Sequence, residues 1–318
     1  MMYLDGPPRV IETRVLSTMP AKFRRPGLRS DWADANRGGK PVDCFIEGPS
    51  FDASGNLYLV DIPFGRIFRI ATDGSWSLVI EYDGWPNGLK IAPDGRILVA
   101  DYMNGLMELD ARRGTIRTLL GHRNSESFRG CNDLHIASTG DIYFTDQGQT
   151  GLHDPSGRVF RLRPDGRVDC LISNGPSPNG LVLDPSETVL FVAMTRDNCV
   201  WRVPLTKDGG VAKVGKFSSF FGTSGPDGLA IDAKGQLFVA HASLGHVFVL
   251  AANGECIARI RSCAGSTCTN IAFGSDGALF ITESSTGSVL IAELDSLFNR
   301  TCSAFSWFES YQAASASL

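Results

Sequence analysis

Short runs of β-branched and aromatic residues recur along the chain, separated by polar turns that centre on glycine. Ile97-Leu98-Val99-Ala100, Ile142-Tyr143-Phe144-Thr145 and Leu237-Phe238-Val239-Ala240 are examples. Runs of this kind, bounded by turn residues, read as strands. Within each unit a shorter apolar run comes first, as in Gly88-Leu89-Lys90-Ile91 and Gly228-Leu229-Ala230-Ile231. An alternating run follows, as in Arg66–Ile70, Arg158–Leu162 and Cys199–Val203, and a fourth closes the unit, as in Ser77–Ile80, Ile116–Leu120 and Arg167–Leu171. No long stretch of helical period competes with this pattern.

The units repeat. Aligned on the first turn, they open at Glu47, Asn87, Asn132, Asn179, Asp227 and Thr269, and consecutive starts fall 40, 45, 47, 48 and 42 residues apart. Five of the turns carry Gly55, Gly95, Gly140, Gly235 and Gly277; the fourth unit has Ser186-Glu187-Thr188 instead. Four strands per repeat at this period predict an all-β fold, a six-bladed β-propeller with four antiparallel strands per blade. The expected organisation is a single domain over 1–318: an opening strand and loop (1–43), six blades (44–292) and a C-terminal tail (293–318). Blade six lacks an outer strand, and the alternating stretch Arg9 to Leu16 is expected to supply it, leaving no open edge. Residues 20–43 read as a polar loop.

Composition narrows the partners. The formal net charge is −4 with no basic stripe, so nucleic-acid binding is not expected. No apolar run approaches the ~18 residues of a membrane-spanning helix. Residues 1–8 lack the basic and apolar regions of a signal peptide. The eight cysteines are dispersed without a CxxC pair, which predicts free thiols in a reducing cytoplasm and no zinc centre built on them. The sequon Asn299-Arg300-Thr301 has no consequence there. A monomer or small homo-oligomer is expected.

The chemistry gathers at the repeat starts. In a propeller the first strand of each blade lines the axis, so the opening residues form a ring: Glu47, Asn87, Asn132, Asn179, Asp227 and Thr269. All are oxygen donors, and oxygen sites with a few carboxylates suit hard divalent cations such as Ca²⁺, Mg²⁺ or Mn²⁺. Asn and Asp before Gly are also ordinary turn residues, but Glu is not. The second strands return to the same end with Asp61, Asp101, Asp146, Met194, His241 and Glu283. The three aspartates read as braces. His241, in the blade of Asp227, reads equally as a proton relay or substrate ligand and as a loop brace. Residues 121–131, 147–157 (with His153) and 217–226 (with Phe217, Phe220 and Phe221) are expected to form a rim with apolar walls. No GxSxG, P-loop, HExxH or GxGxxG frame is present, so a serine or cysteine nucleophile is not indicated.

Phe45-Ile46-Glu47-Gly48-Pro49, Cys131-Asn132-Asp133, Ser177-Pro178-Asn179-Gly180-Leu181, Pro226-Asp227-Gly228-Leu229 and Thr269-Asn270-Ile271-Ala272-Phe273-Gly274 resemble the regucalcin/gluconolactonase/luciferin-regenerating-enzyme family over about residues 40–292. The resemblance implies one axial divalent cation, Ca²⁺ first and Mn²⁺, Mg²⁺ or Zn²⁺ as alternatives. It also implies hydrolysis of a small lactone, of a sugar acid or a related hydroxy acid. It maps the metal ligands to Glu47, Asn179 and Asp227, with Asn132 touching substrate or metal. Where the family often has an arginine two residues before the blade-three Asn, this chain has Gly130; Arg129, one step off, is the expected substrate-binding arginine. Asp227 is the expected base and His241 the second choice. The competing readings are a phosphotriesterase-like hydrolase on the same metal site, a non-catalytic ligand-binding propeller, and a strictosidine-synthase-like propeller.

Overall fold

The computed structural model describes residue 4 and residues 6–294; the tail beyond 294, with Cys302 and the sequon at Asn299, lies outside the described residues. Six sheets, each with four antiparallel strands and one of them with a fifth added at its edge, form the six blades of a β-propeller. The innermost strands are Ile46–Phe51, Pro86–Ile91, Cys131–Ile136, Pro178–Leu183, Pro226–Ile231 and Cys268–Phe273. Each starts one residue before a predicted ring member.

The N-terminal segment closes the ring, in two pieces. Strand β1 (Arg9–Glu12) adds in parallel to the outer strand of blade five, beside Cys256–Arg261. Strand β2 (Arg14–Thr18) is the outer strand of blade six, antiparallel to Ser288–Ala292. The expectation for blade six is therefore met by the second half of the stretch, and the first half covers the neighbouring edge. Leu16 and Met19 then pack with Ile46, Leu59 and Phe68 of blade one and Phe280 and Ile291 of blade six, so the seam is apolar. The Trp76 indole N–H donates to Ser17 Oγ across it at 2.7 Å.

The 20–43 loop reading needs correction, because it holds a helix, α1 (Asp31–Arg37). Ser30 Oγ accepts from the Ala33 N–H, and Gly38 ends the helix at φ +60°. Trp32 anchors it by packing on Phe45, ring centroids 4.7 Å apart. No helix among the described residues is long and apolar enough to cross a membrane.

The turn glycines explain the repeat. Gly55, Gly95, Gly140, Gly235 and Gly277 all have φ between +77° and +86°. Glu187 takes the same place in blade four at φ +54°. Its carboxylate accepts from Ser138 N–H (2.7 Å) and Ser138 hydroxyl (2.8 Å), tying the left-handed turn to blade three.

Candidate functional site

The pairing of first and second strands breaks register in every blade, at Glu47/Ser50, Pro86/Leu89, Cys131/Leu134, Pro178/Leu181, Pro226/Leu229 and Cys268/Asn270. Such bulges re-aim side chains, and here all six sit at the ring. A cavity of about 360 Å³ opens over them, lined at its base by Glu47, Asn87, Asn132, Asn179 and Asp227. Glu47, Asn132, Asn179 and Asp227 are all buried. Thr269 does not line the cavity; its hydroxyl is engaged with Ser284 Oγ (2.7 Å) and Thr282 Oγ1 (3.0 Å).

One residue further along the strands lies a layer the sequence reading missed. Four blades have Gly there, and blades three and six have Asp133 and Asn270. A Cβ on Gly88 would stand 2.4 Å from Asp133 Oδ1, and one on Gly228 would stand 2.2 Å from Asn270 Oδ1. The glycines thus clear space for two side chains near the axis. Asn270 Nδ2 donates to Glu47 Oε2 (2.8 Å) and to Asp133 Oδ2 (3.2 Å), bridging two carboxylates. Glu47 also accepts from the Gly48 N–H. The signal available in sequence was the departure from Gly in two of six repeats.

Burial, then the neighbouring Asp227 and Asp133 charges, holds the Glu47 carboxyl well above its ordinary range. Asp227 is raised for the same reasons, burial first and Asp133 second, against a hydrogen bond from Asn179 and the Arg196 charge. Burial raises Asp133 as well. The base of the cavity is therefore a cluster of acids with too little compensating positive charge.

Asn132 is held from behind. Its Nδ2 donates to Gln147 Oε1 at 3.0 Å, and Gln147 Nε2 donates to Ser177 Oγ at 3.0 Å. The main-chain carbonyl of Gln147 accepts from the Thr150 hydroxyl at 2.6 Å. This fixes the amide with its oxygen free, and Asn132 Oδ1 is buried with no hydrogen-bond partner among the described residues. Among the described residues no three His, Cys, Asp or Glu side chains form a metal-holding group; the donors gathered here are two carboxylates and two carboxamides.

The upper wall comes from elsewhere than expected. Helix α1 contributes Trp32, Asn36 and Arg37, and Tyr102 stands beside them. Gln149 Nε2 donates to the Tyr102 hydroxyl at 3.0 Å and reaches Asn36 Oδ1 at 3.4 Å, linking the 147–157 loop to the helix. His153 of that loop lines the cavity. The three phenylalanines of 217–226 do not: Phe217 packs on Phe191, Phe220 on Phe248, and Phe221 is exposed.

Two predicted site residues are not brought to the cavity. Arg129 is exposed and donates to the Ser156 carbonyl (3.0 Å) and hydroxyl. A Cβ on Gly130 would stand 2.5 Å from the Tyr102 ring, so no larger residue fits there. His241 is fully buried between the Phe220 and Phe248 rings, each 6.0 Å away. It contacts Ser243 N and Asn198 Oδ1 at 3.4 Å, and burial pushes it down to about 4. It sits at the strand end where Asp61, Asp101 and Asp146 sit in other blades, and braces a loop as they do. The arginines that do line the cavity are Arg37 and Arg196.

Comparison with known proteins agrees with this architecture. Residues 45–285 match the SMP-30/Gluconolactonase/LRE-like region. A gluconolactonase of Zymomonas mobilis subsp. mobilis is 31% identical over 271 residues, covering 75% of this chain and 76% of that protein. The lactonase drp35 of Staphylococcus aureus is 30% identical over 229 residues, covering 68% and 69%. Among solved structures, a calcium-binding regucalcin from Agrobacterium tumefaciens superposes with a TM-score of 0.70 at 21% identity, over 89% of this chain and 95% of that one, a likeness of fold. With this match across most of its length, the chain belongs to the SMP-30/gluconolactonase/LRE-like family.

Proposed function

We propose that this protein opens the ester ring of a small lactone by adding water, using a divalent cation held by Glu47, Asn132, Asn179 and Asp227. The observation that carries the reading is the Asn132 amide. Its oxygen is buried and unpartnered, its nitrogen is pinned by Gln147, and it shares a cavity with two buried carboxylates. Buried oxygens that lack donors fit a hard cation, and an all-oxygen set of mixed charge favours Ca²⁺, with Mn²⁺, Mg²⁺ and Zn²⁺ as the alternatives. The relatives named gluconolactonase and lactonase support the substrate class. The seven free cysteines among the described residues accord with a reducing, cytoplasmic setting.

A cation bound there supplies Lewis-acid polarisation of the ester carbonyl and acidifies water. The side chains do the rest. Asn270 and the Gly48 N–H fix the Glu47 carboxylate, and Gln147 fixes Asn132. Asp227 takes the proton of the attacking water, since it lines the cavity and His241 does not. The water oxygen bonds to the carbonyl carbon, the ring C–O bond breaks, and the leaving alkoxide is reprotonated to give a hydroxy acid. Trp32 and Tyr102 give the polar cavity its apolar side.

The test is acid release in a pH-stat from aldono-, pantoyl- and aliphatic lactones. Protein stripped with EDTA and refilled with each of the four cations is compared with untreated protein. Metal-dependent release, lost in Asp227→Asn with the fold intact, is expected. Stripped protein that turns over every substrate unchanged would remove the cation, and no release from any lactone would remove the activity.

A further inference from the structure

The cavity is electrically graded. Its buried base carries Glu47 and Asp227, while the cationic residues of its lining, Arg37 and Arg196, are exposed and therefore stand at the open end. Neither arginine makes an ion pair with another described residue. The acid next to Arg196 in sequence, Asp197, is engaged elsewhere, 2.9 Å from Lys216 Nζ. A Cβ on Gly151 would lie 3.6 Å from Arg196 Cβ and 3.2 Å from His153 Nδ1, so Arg196 and His153 flank one glycine on the same wall. Arg37 stands on α1, which packs on blade one through Trp32 and Phe45, three blades from Arg196. Arg37, its guanidinium 5.7 Å from the Phe45 ring centroid, and Arg196 thus line the opening from different sides.

Resting on the lactonase reading above, we infer that the substrate is a lactone bearing a carboxylate outside its ring, with Arg196 as the residue that binds that carboxylate and Arg37 reinforcing it. A guanidinium offers a planar fork of N–H donors that matches a carboxylate, and such charge-assisted pairs are roughly twice as strong as neutral hydrogen bonds. The gradient also orients the ligand. The two arginines draw the anionic group to the open end, which leaves the ester carbonyl pointing toward Asn132 and Asp227. A neutral lactone gains no such orientation. His153, beside Arg196, offers a ring N–H to the same group.

The experiment uses the full chain and two five-membered lactones that differ only at C6, D-glucaro-1,4-lactone (carboxylate) and D-glucono-1,4-lactone (hydroxymethyl). The acidic lactone is expected to show a kcat/KM about tenfold higher at low salt, carried mainly by KM. The ratio falls as ionic strength rises. Arg196→Gln brings it close to one, Arg37→Gln lowers it less, and Arg196→Lys restores part of it. A neutral lactone preferred by the wild type, or a ratio unmoved in both glutamine variants, overturns the inference. Binding separates this from the activity itself. Tetrahydrofuran-2-carboxylate and tetrahydrofurfuryl alcohol cannot ring-open, and their affinities are read by ligand-observed NMR. Arg196-dependent preference for the carboxylate, with neither these two lactones nor any of the pH-stat panel hydrolysed, keeps the anion subsite and discards the lactonase reading. Equal binding of the two ethers discards the subsite whatever the lactones do.

Discussion

Blade one buries two acids at the same end of its first hairpin, and they are bonded in opposite ways. Asp61 accepts from the Phe45 N–H at 2.7 Å and from Arg66 Nε and Nη2 at 2.9 and 2.5 Å. Asp146 repeats the pattern with the Arg129 and Gly130 N–H groups and Arg158. Among the described residues Glu47 meets only the Gly48 N–H and a neutral amide, and faces two further acids. The outer acids are fully satisfied and hold loops; the inner ones are left with repulsion and an unpartnered amide oxygen. Residue type and burial are nearly the same in both sets. What separates the two sets is whether a buried acid is surrounded by donors, as Asp61 and Asp146 are by arginine and Asp101 is by the Tyr82 hydroxyl and two N–H groups, or by other acids.

The sharpest way to break this contrast is to exchange the losses. Asp61→Ala leaves the buried Arg66 without its carboxylate, and a stability loss of about 3–5 kcal/mol is expected in urea unfolding. The remaining folded molecules should keep their turnover per site. Glu47→Gln is expected to do the reverse. It relieves repulsion, so stability holds or rises, while lactone turnover falls by about a hundredfold or more. A smaller effect is expected at Gln147→Leu. With its clamp gone, Asn132 can rotate, and cation affinity measured by calorimetry should weaken by about tenfold. Unchanged affinity would mean that Asn132 needs no clamp.

His241 supplies the smallest and most specific test. Burial holds it at about 4 against an ordinary 6.5. Between those values the unfolded chain takes up the proton and the folded chain does not, so this residue removes stability as pH falls from about 6.5 to about 4. In His241→Gln the fall in the unfolding midpoint over that window should be shallower. It should not vanish, because burial also holds His135 at about 4. Turnover at neutral pH should stay within about threefold of wild type, as befits a brace. A collapse in kcat would return His241 to the chemistry.

The propeller was legible because its period is written in residues that have little choice. A left-handed turn needs Gly at five places, and the sixth is recognisable only by register, where Glu187 is held by Ser138. The ring was legible for the same reason: a bulge recurs at one position in each blade. Helix α1 was not. Its seven residues are too few to show a helical period, although Ser30 and Gly38 stand at its ends. The wall of the cavity was illegible for a different reason. Arg37, Tyr102 and Arg196 come from three separate segments, and only closure of the ring brings them round one opening. Arg129 and His241 lay at suggestive positions, but no strand alignment shows that Ser156 and the Phe220–Phe248 pair already engage them.

Closure itself has a consequence for how the protein is made. Strand β2 bonds to a partner 270 residues later in the chain, as between the Thr18 and Ser288 hydroxyls at 3.0 Å. At about 5–20 residues per second, the ribosome needs about 15–50 seconds to deliver that partner after the first strand emerges. Until their partners are made β1 and β2 have no place to pair, since β1 waits for Cys256–Arg261 and β2 for Ser288–Ala292. The propeller's N-terminal strands are thus the last to find their seat, and the roof that α1 places over the cavity follows them in the chain. Until the final blade emerges, the nascent chain depends on whatever shields its edges.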